Sequence, residues 1–304
     1  MKSILILRDR PSRPMSYVID HYTLCWKNAG YRVIDHIGLA NLPVADVVIV
    51  HIDLTVIPKE YVDLINGLHR VINGKILDIS RQQFSQLLLS KTDNYTGPVI
   101  VKTNANYGGV LDCQYTPFLS NTIHGKRLSN KQRLHIFRLF LFKSIIKNRF
   151  LQILNKWDTI ESLNPLEYPI FQDIKSVPNG IWKNDNLIVE SFISNREDGL
   201  FYAHYYIFFG DKELSGRIGS PNPIVKFSNC VSDEEVPVPN EVRQWRKDLK
   251  IDYGRFDYLA VGDKYFLIDV NKTEGGGDMN YMDHKYPDEM NLLASGLEFY
   301  LDSK

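Results

Sequence analysis

The chain has 304 residues, 44% of them hydrophobic and 24% charged, with Lys plus Arg and Asp plus Glu equal at 36 each. Those values describe a globular protein long enough for two or three packed units. The even charge balance favours neither a nucleic-acid partner nor an acidic one. The apolar run Ile4 to Leu7 is too short for a signal peptide, and no stretch approaches the roughly 18 apolar residues of a membrane span. Cys25, Cys113 and Cys230 lie far apart and form no CxxC pair, which suits free thiols in a reducing cytoplasm.

In chain order, Ser3 to Leu7 reads as a first buried strand. Ser16 to Asn28 has helical spacing closed by Ala29-Gly30. Strands are expected at 31–37 and at 45–53, the latter an apolar run typical of a strand buried on both faces. A helix opening with Pro58 is expected to reach Val71, followed by a strand at 74–79. This β-α-β-β-α-β order predicts a small α/β domain with a largely parallel sheet. Residues 80–97 read as a helix and turn with Ser80 as N-cap. From Cys113 to Trp157 there is no Asp or Glu but nine Lys or Arg, with apolar residues near helical spacing. From Leu187 onward the chain is strand-rich, with a short helix at 242–250 and a closing helix at 289–301.

Three segments carry chemistry. In YGRFDYLAVGDKYFLIDVNKTEGGG, 253–277, two apolar strands meet at a tight Gly262-Asp263 turn. Asp269 and Asn271 are two apart and share a face, and the fold-back can bring Asp257 and Arg255 onto it. Carboxylates in so apolar a run are costly unless paired. A cluster of hard oxygens suits Mg²⁺, with Mn²⁺ as the alternative metal. In PVIVKTNANYGG, 98–109, Lys102 ends an apolar strand before a polar loop with Gly108 and Gly109, whose backbone could approach phosphates. No GxxxxGK[ST] sequence is present. In LIVESFISNRED, 187–198, Glu190, Ser191, Phe192 and Ile193 form a strand end and linker that could face an adenine, and Glu197 could take ribose hydroxyls.

These segments, in this order, resemble ATP-grasp enzymes, in particular those of the D-alanine–D-alanine ligase type. The resemblance implies a mixed α+β and α/β chain: an ATP-grasp fold behind an N-terminal Rossmann-like α/β domain. It divides the chain into a pre-ATP-grasp domain at 1–80, a small lid subdomain at 81–195 with a basic helical insertion at about 113–157, and a C-terminal subdomain at 196–304 with the metal site. It assigns ATP contacts to Lys102, Gly108, Gly109, Glu190 to Ile193 and Glu197, metal binding to Asp257, Asp269 and Asn271, and a role beside the metal to Arg255. Two departures from the family pattern stand out. The second metal ligand is Asp269 where Glu is common, and Arg81 stands near the place of a further phosphate-binding lysine.

The implied activity is a cytoplasmic, biosynthetic, ATP- and Mg²⁺-dependent ligase that activates a carboxylate as an acyl phosphate and joins it to an amine. A small-molecule kinase of the same fold and a non-catalytic nucleotide-binding module are the alternatives. Arg217 is a second candidate catalytic arginine, and Lys226 a candidate substrate contact. The expected partners are small-molecule or peptide carboxylates and amines. The basic segment 126–156 admits a solvated helix face, a surface for an anionic substrate, or a membrane-surface contact. No nucleic acid is expected, and homo-oligomer formation is left open.

Overall fold

The computed structural model describes residues 1–10, 16–113, 122–123, 126–127, 146–277 and 286–302. The bases Lys131, Arg133, Arg138 and Lys143 of the basic segment lie outside these residues.

The N-terminal unit is built on β1 (Ser3–Arg8), β3 (Arg32–Ile37), β4 (Val47–His51) and β5 (Val71–Ile72), all parallel and ordered β3-β1-β4-β5. β1 and β4 are buried on both faces because helices cover each side. Ile4, Ile6, Val47 and Ile49 pack on helix Val18–Asn28, whereas Leu5, Leu7, Val48 and Val50 pack on helix Lys59–Asn66. The expected 16–28 helix starts at Val18, because Ser16–Tyr17 forms a two-residue strand, β2.

Three expectations fail here. The helix expected from Pro58 to Val71 spans only Lys59–Asn66, closing at Gly67, and Val71 lies in β5. Residues 74–79 are not a sheet strand. Asn73 takes the left-handed conformation (φ 59°) and binds Asp252 and Tyr253 with its side chain, turning the chain out of the sheet after Ile72. Asp78 then makes only an isolated bridge to Val56. The 80–97 helix shrinks to Arg81–Phe84, because Leu87 and Leu89 pair by backbone with Ser191 and Val189. Alignment along a neighbouring strand outcompetes the local helical pattern.

In the middle unit, β6 (Val99–Thr103) lies between β9 (Ile170–Phe171) and β10 (Leu187–Ser191) in an antiparallel sheet, with a small hairpin of β7 (Thr122–Ile123) and β8 (Lys126–Arg127). Val99, Val101, Leu187 and Val189 pack on Trp157, Ile160, Ile174 and Ile181. Lys102, one residue out of that phase, turns to the opposite face. Residues 146–153 are helical.

The large antiparallel sheet contains β11 (Asn195–Glu197), β12 (Leu200–Phe209), β13 (Lys212–Ser220), β14 (Ser232–Glu235), β15 (Tyr253–Val261) and β16 (Lys264–Asn271). Its order is β14-β13-β12-β15-β16, with β11 also on β12. Helix Asn240–Asp248 covers one face, where Val242 meets a core that includes Tyr206, Phe208, Phe256 and Tyr258. β17 (Gly275–Gly277) pairs with β2, and the closing helices Pro287–Ser295 and Glu298–Asp302 return to the N-terminal core. There Trp26 Nε1 donates to the Ala294 carbonyl at 2.8 Å.

Candidate active site

β15 and β16 form the expected hairpin, with Asp257 directly opposite Asp269 and Arg255 opposite Asn271. Beyond that pair the register shifts, so that Tyr258 faces Leu267 and Ile268 is an extra residue. Such a bulge bends the strand locally and re-aims its carbonyl groups. Phe256, Tyr258 and Val270 face the core under helix Asn240–Asp248, so alternation sends Arg255, Asp257, Asp269 and Asn271 to the opposite face. From that face Leu259 and Asp269, and from the free face of β6 and β10 Ile100, Lys102 and Glu190, line a cleft whose space, open solvent included, is about 690 Å³, whereas Arg255, Asp257 and Asn271 lie outside its lining. Leu87, Ile100, Phe192, Phe201, Ile224 and Leu259 give it an apolar body. Arg81, Lys102, Glu190, Lys226 and Asp269 charge it.

The charges are interlocked. Lys102 Nζ lies 2.7 Å from Glu190 Oε2, and both residues are buried. Burial lowers the Lys102 pKa in spite of Glu190. Burial opposes ionisation of Glu190 as well, but Lys102 and Arg81 outweigh it and hold that carboxyl below its usual range. Arg81 Nη2 sits 3.1 Å from Asp269 Oδ1, and its Nη1 donates to the Ile268 carbonyl at 2.6 Å. Lys226 Nζ lies 3.7 Å from the other Asp269 oxygen. Burial pushes the Asp269 pKa up, but Arg81, Lys226, Lys102 and Arg255 prevail and keep it low. Three cations, Arg81, Lys102 and Lys226, thus face two carboxylates, Glu190 and Asp269. The excess positive charge suits a polyanion.

Arg255 grips both oxygens of Asp257, at 2.9 and 3.1 Å, and reaches Glu274 at 2.9 Å. Burial pushes Glu274 above the usual carboxylate range despite Arg255. Asn271 Oδ1 accepts weakly from Asn106 at 3.4 Å, while its buried Nδ2 has no partner. Among the described residues no group of three His, Cys, Asp or Glu side chains could hold a metal. The donors at the hairpin are two carboxylates and one amide. Mg²⁺ commonly takes only one or two carboxylates and completes its shell with water and phosphate oxygens, so this set fits it. The orphaned Asn271 Nδ2 is a donor that a phosphate oxygen would satisfy.

The structure qualifies several expectations. Gly108 (φ 66°) and Gly109 (φ 73°) have positive φ, and a Cβ on Gly108 would lie 2.1 Å from the Leu163 carbonyl oxygen. On Gly109 it would lie 2.9 Å from the Glu161 carbonyl oxygen. Close packing against 161–163 therefore already demands both glycines. The loop is fastened further by Asn106 N donating to Thr55 Oγ1 at 2.8 Å. The N–H groups of Ser191 and Phe192 are taken by the Leu87 and Pro98 carbonyls, so these residues offer the cleft side chains and carbonyls. Ile193 lines the cleft beside them. Glu197 lies outside the cleft lining and pairs with Arg217 at 3.1 Å; Arg217 also holds Glu234 at 3.2 Å and stacks over Tyr202 at 4.6 Å. Arg217 thus belongs to a half-exposed network on the β11–β14 side, not to the carboxylate hairpin. Arg81, by contrast, reaches Asp269 directly. The sequence pattern did not reveal Tyr168 or Leu87 as lining, because their approach depends on chain crossings far apart in sequence. Glu274 sits only three residues past Asn271, which was its one local signal.

No family model matches the chain, and no curated protein matches it. Among solved structures it is similar to D-alanine–D-alanine ligase from Bacillus anthracis complexed with ATP, at 12% identity over 99% of this chain and 98% of that one, TM-score 0.49. It is similar to a RimK domain protein ATP-grasp from Sphaerobacter thermophilus DSM 20745, at 10% identity over 98% and 99%, TM-score 0.48. A Chryseobacterium gregarium RiPP-associated ATP-grasp ligase in complex with ADP and a leader and core peptide aligns at 9% identity over 97% and 96%, TM-score 0.48. At these values the likenesses assign no residue of this chain a role.

Proposed function

We propose that this protein is an ATP-grasp-type ligase that uses ATP and Mg²⁺ to activate a carboxylate as an acyl phosphate and couple it to an amine. The observation that carries the reading is the convergence of Arg81, Lys102 and Lys226 on Glu190 and Asp269 at the charged end of an otherwise apolar cleft. An apolar body with charge at one end matches a nucleotide, whose base is flat and apolar and whose phosphates are anionic. On this reading 1–80 is the Rossmann-like pre-ATP-grasp domain, 81–195 the lid subdomain and 196–304 the metal-bearing subdomain, working in the cytoplasm.

Lys102 and Lys226 hold the phosphates, and Arg81 neutralises the transferring group. Asp257, Asp269 and Asn271 would hold Mg²⁺, which would supply neutralisation of charge on the phosphates. Arg255, fixed by Asp257 and Glu274, would serve the group that receives the phosphoryl. Because these groups are in place before reaction, they stabilise developing charge without reorganising. The loop at 104–109, tied to Thr55 and packed on Leu163, keeps water from the acyl phosphate.

Calorimetry of ATP binding with and without Mg²⁺, on the wild type and on the Asp269→Ala, Asn271→Ala double variant, tests the nucleotide site. The wild type should bind ATP in a Mg²⁺-dependent manner that the double variant loses. A wild type that binds no ATP with any metal refutes the proposal. Release of ADP and phosphate that depends on an added amine then separates ligase from kinase.

A further inference from the structure

The helix at 146–153 turns three kinds of residue in three directions. At about 100° per residue, Asn148, Leu151 and Gln152 fall on one side. That side is fastened to the protein. Asn148 Nδ2 donates to Ser162 Oγ at 2.7 Å, and Leu151 packs on the core that includes Trp157 and Ile160. On the opposite side stand Ile146, Phe150, Ile153 and Leu154, at the helical spacing i, i+4, i+7 and i+8. The Leu154 N–H still donates to the Phe150 carbonyl at 3.0 Å, so all four belong to one stripe. The chain leaves the helix at Asn155, which takes the left-handed conformation (φ 55°).

These four side chains are between 48% and 77% exposed. Apolar residues normally reach the surface singly, whereas a contiguous patch marks a contact surface. Lys147 and Arg149, both exposed, lie on either edge of the stripe, and Lys156 follows its end. Lys147 Nζ reaches Glu161 only at 3.8 Å, with both side chains more than half exposed, so that pair holds the lysine weakly. The sequence from Cys113 to Trp157 adds nine Lys or Arg and no Asp or Glu. An apolar stripe edged by bases suits the headgroup region of a bilayer. The apolar side chains reach the acyl boundary, and Lys and Arg lay their stems along it with their charges at the lipid phosphates. A second copy of this chain is a poorer occupant, because a two-fold contact would set the bases of one helix against those of the other. Among the described residues no helix is long and apolar enough to cross a membrane, so the contact is one with the surface.

We infer that the 146–154 face docks on an anionic membrane surface, with Ile146, Phe150, Ile153 and Leu154 inserted and Lys147, Arg149 and Lys156 at the lipid phosphates. The inference goes beyond the ligase reading and does not depend on it. Docking is coupled to the fold through Ser162, which holds Asn148, and its neighbour Leu163, whose N–H donates to the Gly108 carbonyl at 2.9 Å. The docked helix would rest on the same stretch that supports the 104–109 loop.

Flotation of the full chain with vesicles, without nucleotide, tests this. Vesicles of phosphatidylcholine alone and of phosphatidylcholine with phosphatidylglycerol would be compared at low and high salt. The wild type should float with the anionic vesicles, and on the order of tenfold more weakly with the neutral ones or in high salt. The Phe150→Ser, Ile153→Ser double variant should lose on the order of tenfold or more in partitioning. The Lys147→Gln, Arg149→Gln double variant should lose a similar factor, since each base near an anionic surface contributes about fivefold. All four positions are exposed, so both variants should melt as the wild type does. The inference is overturned if the wild type does not float with anionic vesicles, if neutral and anionic vesicles take it equally, or if the cooperatively folded serine variant floats as well as the wild type. Sedimentation equilibrium that shows a wild-type dimer lost in the serine variant would assign the face to a second copy and overturn it too. Absence of ATP binding in a separate titration would refute the ligase reading and leave this result standing.

Discussion

Replacing Asp269 with Asn tests the charge design of the cleft most directly. Asp269 is 9% exposed, with Arg81 at 3.1 Å and Lys226 at 3.7 Å on its two oxygens. Asn keeps the size and removes the charge, leaving the cations to repel one another across a neutral amide. Breaking a buried ion pair typically costs 3–5 kcal/mol. Lys226 is partly exposed, which places the expected loss at the lower end, about 3 kcal/mol. On the proposed reading, ATP phosphates would supply the missing negative charge. A ligand at a hundred times its Kd adds about 2.7 kcal/mol to folding stability. The variant should therefore unfold in less urea than the wild type when ligand-free, recover most of the difference in saturating metal-free ATP, and gain little from added Mg²⁺. Urea denaturation with and without ATP, beside calorimetry at several Mg²⁺ concentrations, reads all three. A variant that retains the Mg²⁺ dependence of the wild type would show that Asp269 is no metal ligand. A variant that ATP fails to rescue would show that Arg81 and Lys226 do not meet the phosphates.

Gly108→Ala should cost about 3 kcal/mol, because the left-handed conformation penalises a side chain by about 1–2 kcal/mol and the added carbon would meet the Leu163 carbonyl; unchanged urea stability would refute the close-packing account. Asn73→Ala should lose about 3 kcal/mol, since its side chain accepts from the Asp252 and Tyr253 N–H groups at 2.8 and 3.1 Å and donates to the Tyr253 carbonyl at 2.8 Å. Asn73→Gly should restore only the backbone part, about 1 kcal/mol, in the same assay. His204 is lowered to about 4, first by burial and then by Arg217. Its folded pKa lies below the ordinary 6.5, so the unfolded chain binds more protons in between, and stability should fall as pH drops from about 6.5 to 4. With its partial exposure discounted, the loss is about 2 kcal/mol. His204→Phe should flatten that part of the stability–pH curve, and an unchanged slope would assign the effect elsewhere.

The sequence by itself determined the parts that depend on local period. Alternation along 253–271 put Arg255, Asp257, Asp269 and Asn271 on one face, and Gly262-Asp263 closed the hairpin that pairs them. The apolar runs of β1 and β4 identified buried strands, because a strand covered on both faces needs no polar alternation. Tertiary structure decided what local period cannot encode. Leu87 and Leu89 left a helical pattern because β10 offered them backbone partners, and Asn73 turned the chain because Asp252 and Tyr253, far along the sequence, bind its side chain. The same holds for charge. Lys226 and Arg81 are unremarkable alone, and only the tertiary fold brings both to Asp269. Likewise Lys272, one more polar residue after a strand, becomes a buried ammonium among aspartates only when the end of the hairpin meets the ends of β1 and β4. Electrostatic environment is set by distance in space, and residues from 9 to 272 become neighbours here because the fold brings distant parts of the chain together.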